Sequence, residues 1–168
     1  HSGRGEALKN LLVAADATLK PDARFPMHPH GDMEILTWVA RGTLHHKDNR
    51  GSEQFVPSLS LQLMSARDGI FHAEGNSGSE DLRLLQIWIR PHSNGGIPEV
   101  RHAPLIGEGF QLMAGPQQAP LVIRQDLWLY AAKLDGRQDF EVPSGQFGYA
   151  VFFGKFRLGQ KELADGDG

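Results

Sequence analysis

Glycine and proline break this chain at such short intervals that strands fit between them far better than helices. Twenty Gly and ten Pro are scattered through 168 residues rather than clustered. A turn residue every ten or so positions is the cadence of many short strands. Helical periodicity nowhere persists beyond about two turns. The expected class is therefore all-β, as a barrel or a sandwich. The length suits one medium domain or two small, closely packed ones with a real core.

Read in order, the small polar residues 1–6 are expected to fray. A strand within residues 8–19 ends at the Lys20-Pro21-Asp22 turn. Strands are then expected at 25–30, 34–40, 43–47, 55–57, 59–65, 70–74 and 82–89. The last is apolar on both faces, as in a strand sandwiched inside a protein. Residues 91–109 are richer in Pro, Gly and His and read as a crossing between two halves. Beyond them, 110–113, 121–124, 127–134, 140–142 and 148–153 repeat the cadence. The expected organisation is an N-terminal barrel over 1–92, a linker over 93–109 and a C-terminal barrel over 110–168.

Composition removes several function classes. A net charge of −3 without any Lys/Arg run gives no footprint for nucleic acid. The absence of Cys excludes thiolate metal sites, disulfides and redox thiols, and fits a reducing compartment. No signal peptide is recognisable, and no apolar run approaches the length of a membrane span. A soluble, cytoplasmic protein is the expectation.

Two short motifs carry the chemistry: His28-Pro29-His30, and Phe71-His72-Ala73-Glu74. In each, two polar residues are spaced i, i+2, so in an extended strand they project to one face. Side by side, two such strands assemble three imidazoles and one carboxylate. That donor set suits one divalent first-row transition metal, with Fe, Ni, Cu, Mn and Zn all compatible. Pro29 has no N–H to give a ladder, which places its strand at a sheet edge where a site can open to solvent. Either pair alone is a weak signal.

Other residues are read more plainly. His45 and His46 are adjacent, so at most one faces inward; His46 is either a pocket wall or a solvent-facing strand residue. Gln62 and Gln86 should line the first barrel, orienting a ligand or bonding within the core. Trp38, Trp88 and Trp128 read as barrel packing rather than substrate stacking. His92 and His102 read as surface residues.

Four stretches in order resemble the pirin family, within the cupin superfamily. They run from Phe25 to Val39 (Phe-Pro-Met-His-Pro-His-Gly-Asp-Met-Glu-Ile-Leu-Thr-Trp-Val), from Gly42 to Asp48, from Gln62 to Glu74 and from Leu85 to Ile89. The likeness is strong from about Pro26 to Pro91 and weaker beyond. It implies two jelly-roll-like cupin β-barrels packed face to face, with one metal in the first. The implied ligands are His28, His30, His72 and Glu74, and iron, as Fe(II), is the implied metal. Bacterial members cleave the flavonol quercetin with dioxygen, so the implied activity is that of a quercetin 2,3-dioxygenase. Glu74 is then a candidate general base for the substrate hydroxyl. Animal pirin is a metal-dependent transcriptional co-regulator, so the alternative is a non-catalytic metal-binding regulator acting through protein partners. Glu34, four residues after His30, stands where many cupins place a ligand; here Glu74 takes that role, and Glu34 reads as a neighbouring or surface carboxylate. Arg67 stands where family members usually have Gly, which implies an altered turn or a side chain reaching the pocket. The chain stops at Gly168 where pirins continue through further strands, which implies either an unfinished second barrel or a shorter natural variant.

Overall fold

The structure is a computed structural model, and it describes residues 10–136, 139 and 150–166. All regular structure among these residues is β. The chain divides into two compact units, one of them Asn10–Gln138. The described part of the other is residue 139 and residues 150–166.

Nine strands build the first half: β1 (Leu11–Leu19), β2 (Arg24–His30), β3 (Glu34–Arg41), β4 (Thr43–Asp48), β5 (Glu53–Pro57), β6 (Ser60–Ser65), β7 (Ile70–Asn76), β8 (Leu82–Ile89) and β9 (Glu99–Pro104). They form a five-stranded sheet, β1-β8-β3-β6-β9, and a four-stranded sheet, β2-β7-β4-β5, with every pairing antiparallel. Both sheets contribute to one apolar cluster, in which Val39 and Leu84 from the first meet Leu44 and Val56 from the second. A second cluster joins Ile35 and Met64 to Ile70, with Trp88 packed against it. This is the jelly-roll-like arrangement expected of a cupin barrel.

Every residue of β6, and β3 from Glu34 to Val39, is buried. Those strands are therefore covered on both faces, as is much of β8. Alternation places Ile35, Thr37 and Val39 on the face toward the second sheet, in register with Gln62 and Gln86 at Thr37. Glu34 lies on the opposite face.

The rest of Asn10–Gln138 holds a small sheet of β10 (Gln111–Gly115), β11 (Leu121–Val122) and β12 (Leu129–Ala131), ordered β11-β10-β12. In the other unit, β13 (Phe156–Leu158) and β14 (Lys161–Leu163) form a hairpin that the sequence reading lacks. Two expectations need correcting. The span 93–109 is more than a linker, because β9 adds to the edge of the larger sheet through β6. Residues 150–153 form no strand. The strand expected at 140–142, the start of that at 148–153 and the fraying of 1–6 lie outside the described residues. No helix among the described residues is long and apolar enough to cross a membrane.

Candidate metal centre

β2 is the edge of the four-stranded sheet and pairs with β7 so that His28 lies opposite His72 and His30 opposite Ile70. The register slips between Phe25 and His28, a bulge around Pro26, which has no N–H for the ladder. The bulge turns the Pro26 carbonyl onto its own strand, where it lies 2.7 Å from His28 Nδ1. Nδ1 therefore donates, and the Nε2 lone pair of His28 is left free.

The ring centroids of His28, His30 and His72 lie 4.5 to 5.1 Å apart. Their candidate ligand atoms fall within 4.8 Å of one another. His28 and His30 are half-buried, whereas His72 is 1% exposed. His72 Nε2 is buried and has no hydrogen-bond partner. Such an orphan costs free energy unless something completes it, and a cation held also by His28 and His30 would do so. The residues present therefore fit a metal. Burial depresses the pKa of His72 to about 4, against the opposing pull of Glu74. Burial, with His28 adding to it, also lowers that of His30. Both rings are thus held in the neutral form that ligates.

The fourth expected residue sits differently. Glu74 belongs to a separate group with His46 and His72 and outside the set of His28, His30 and His72. Its Oε1 accepts the Gln62 amide at 2.7 Å and its Oε2 that of Gln86 at 2.9 Å. Burial alone would raise the Glu74 carboxyl, but its neighbours His46, His72 and Gln62 outweigh burial and hold it below its ordinary value. Gln86 is itself oriented, because the Trp88 indole N–H donates to its Oε1 at 2.8 Å.

A cavity of about 360 Å³ opens beside these groups, lined by Phe25, Pro26, His28, Glu74, Gln86 and Trp88. Trp88, read as barrel packing, thus also forms a cavity wall, its ring edge-on to His30 at 4.9 Å. His46 resolves inward: it is fully buried on β4, opposite Glu74. His45 faces out and stacks on Phe55. Glu34 is fully buried, where the sequence reading had a neighbouring or surface carboxylate. It takes Ser65 Oγ–H at 2.8 Å and Arg124 Nε–H at 2.7 Å on the far face of β3. Arg67 reaches Glu99 at 3.0 Å and does not line the cavity.

Asp48, one position past the strand expected at 43–47, is the missed member. It is buried and lies opposite His72 in register. Its i, i+2 spacing from His46 repeats that of the two recognised motifs, and that repetition was the available signal.

Residues 7–89 match the Pirin family. A protein of Escherichia coli named "Quercetin 2,3-dioxygenase" is 42% identical over 125 residues, which is 71% of this chain and 54% of that protein. The chain thus spans about half the length of that relative. A Pasteurella multocida protein named "Putative quercetin 2,3-dioxygenase" is 33% identical over 168 residues, 95% of this chain and 72% of the other. Among solved structures, bacterial pirin YhhW of E. coli in complex with nickel(II) superposes with a TM-score of 0.68 and 41% identity, covering 72% of this chain and 54% of that one.

Proposed function

Since this chain belongs to the pirin family, we propose that His28, His30, His72 and Glu74 hold one divalent transition metal, Fe(II), for the cleavage of a flavonol such as quercetin with dioxygen. The observation that carries the reading is the buried, partnerless His72 Nε2 facing His28 and His30 beside an open cavity. The names of the relatives and the nickel in the E. coli pirin structure support it.

A bound divalent metal supplies Lewis acidity toward an ionised substrate hydroxyl. The chain's own residues supply the rest. Phe25, Pro26 and Trp88 give a flat aromatic substrate apolar walls and exclude water from it. Glu74 lines the same cavity as an ionised acceptor and takes the hydroxyl proton as general base. The amides of Gln62 and Gln86 keep that carboxylate in one orientation, and their donation also limits how strongly it holds the proton.

Elemental analysis of the purified protein, with an aerobic quercetin assay, tests this. Expected are about one metal per chain and flavonol consumption, with His30→Ala losing most of the metal while remaining folded. Full metal content in that variant would remove the ligand assignment. Metal without turnover would leave the regulator acting through protein partners.

A further inference from the structure

Three polar pairs at i, i+2 spacing lie on β2, β4 and β7: His28/His30, His46/Asp48 and His72/Glu74. The proposed reaction uses the first and third. The middle pair is deeply buried, His46 at 0% and Asp48 at 6% exposure, and has no part in that chemistry. Building on the metal reading, we propose that Asp48 and His46 form a tautomer relay that fixes the His72 proton on Nδ1 and so keeps Nε2 available to the metal. Both are positioning residues that act through His72.

Each step follows from which atoms can donate. Asp48 Oδ1 accepts two backbone N–H groups, from Arg50 at 2.8 Å and Ser52 at 3.0 Å. That anchors the carboxylate and aims Oδ2 at His46 Nε2, 3.3 Å away. A carboxylate oxygen only accepts, so His46 carries its proton on Nε2. In the proposed relay that is the only proton His46 carries, so its Nδ1 is a lone pair. Two atoms lie 3.5 Å from it, His72 Nδ1 and Glu74 Oε1. The Glu74 oxygen is an acceptor already served by Gln62, so only His72 can donate. With its proton on Nδ1, His72 presents a lone pair at Nε2, the atom that has no partner in the chain. The opposite tautomer would put hydrogen there and block ligation. At 3.3 and 3.5 Å these are long hydrogen bonds, so the relay biases a tautomer and adds little stability.

The test begins with metal-free protein labelled with 15N at histidine, observed by long-range 1H–15N NMR at pH 8. His72 is expected to be protonated on Nδ1 and His46 on Nε2. A proton on His72 Nε2, or a doubly protonated His46 bridging Asp48 and Glu74, overturns the relay. Asp48→Asn then reverses it. The Asn Oδ1 must keep the two backbone N–H groups, so its NH2 faces His46 Nε2. That turns His46 into an Nδ1–H donor and moves the His72 proton to Nε2. Nickel(II) affinity, measured against a competing chelator, should weaken about ten- to a hundredfold. His46→Asn, whose Oδ1 can accept near the former Nδ1, should restore the His72 tautomer, whereas His46→Leu should not. Unchanged nickel affinity in Asp48→Asn, or a second ion per chain held by His46, His72 and Glu74, sinks the proposal. If Asp48→Asn fails to fold, the wild-type tautomers still decide. A His30→Ala variant that keeps its metal would sink the metal reading alone and leave those tautomers standing.

Discussion

Among single side chains, Glu74 carries the most specific surroundings. Each carboxylate oxygen receives one amide N–H, and a carboxylate is the only side chain of that shape that can accept both. In Glu74→Gln the new amide can turn its oxygen to Gln62 or to Gln86, and its NH2 then faces the other donor. Chemical denaturation of the metal-free variant should show a loss of about 1–3 kcal/mol, the usual consequence of a buried unsatisfied polar group. Three imidazoles remain, so metal should be retained while flavonol turnover drops about a hundredfold to ten-thousandfold if Glu74 is the base. Parallel loss of metal and activity would make it a ligand only. Arg67 is a quieter case. Its backbone is left-handed, at φ 43°, which suits the Gly that the family resemblance leads one to expect there. The side chain is held by an ion pair to half-buried Glu99 instead.

Among elements, β2 and β7 matter most, because their close approach sets the imidazole spacing. Gly75 is what permits it: a Cβ there would lie 2.8 Å from the Ala23 carbonyl oxygen and 3.1 Å from Arg24 Cα, both backbone atoms that cannot swing aside. Gly75→Ala should push the start of β2 off β7 and spread His28 and His30 from His72. Equilibrium metal binding should weaken although no ligand has changed, with about 1–3 kcal/mol of stability lost to overpacking. Unaltered metal affinity in a folded Gly75→Ala protein would show that β2 is positioned by other contacts.

For the molecule as a whole, the buried imidazole ties stability to pH. An unfolded His72 takes up a proton near its ordinary value of 6.5, whereas the folded one resists until about pH 4. Between those limits the unfolded state binds more protons, so stability falls as pH falls through this window. Above 6.5 the contribution is flat. The gap corresponds to roughly 3 kcal/mol at the lower limit. His30, shifted in the same direction, adds to it. Thermal melts of metal-free protein from pH 7 to pH 4 should trace that decline; a constant melting temperature would contradict it. Saturating metal should raise the melting temperature at pH 7, because it binds only the folded arrangement.

Local chemistry made much of this molecule legible from residue order. Turn residues at short intervals dictate strands, and the i, i+2 pairs dictate that His28 with His30, and His72 with Glu74, share a face. Other facts depend on which strands become neighbours, and that is settled by packing across long sequence separations. β4 lies beside β7, which turns His46 inward and makes Asp48 its partner. β9 joins β6, so a stretch rich in Pro and Gly still completes a sheet. Glu34 is drawn under cover by an arginine ninety positions away. Residue identity determines what each group can donate or accept, but only the assembled sheets decide which donor each acceptor meets. For that reason the imidazoles and the two barrel-lining glutamines were readable in advance, and the pairing of Asp48 with His46 beside His72 was not.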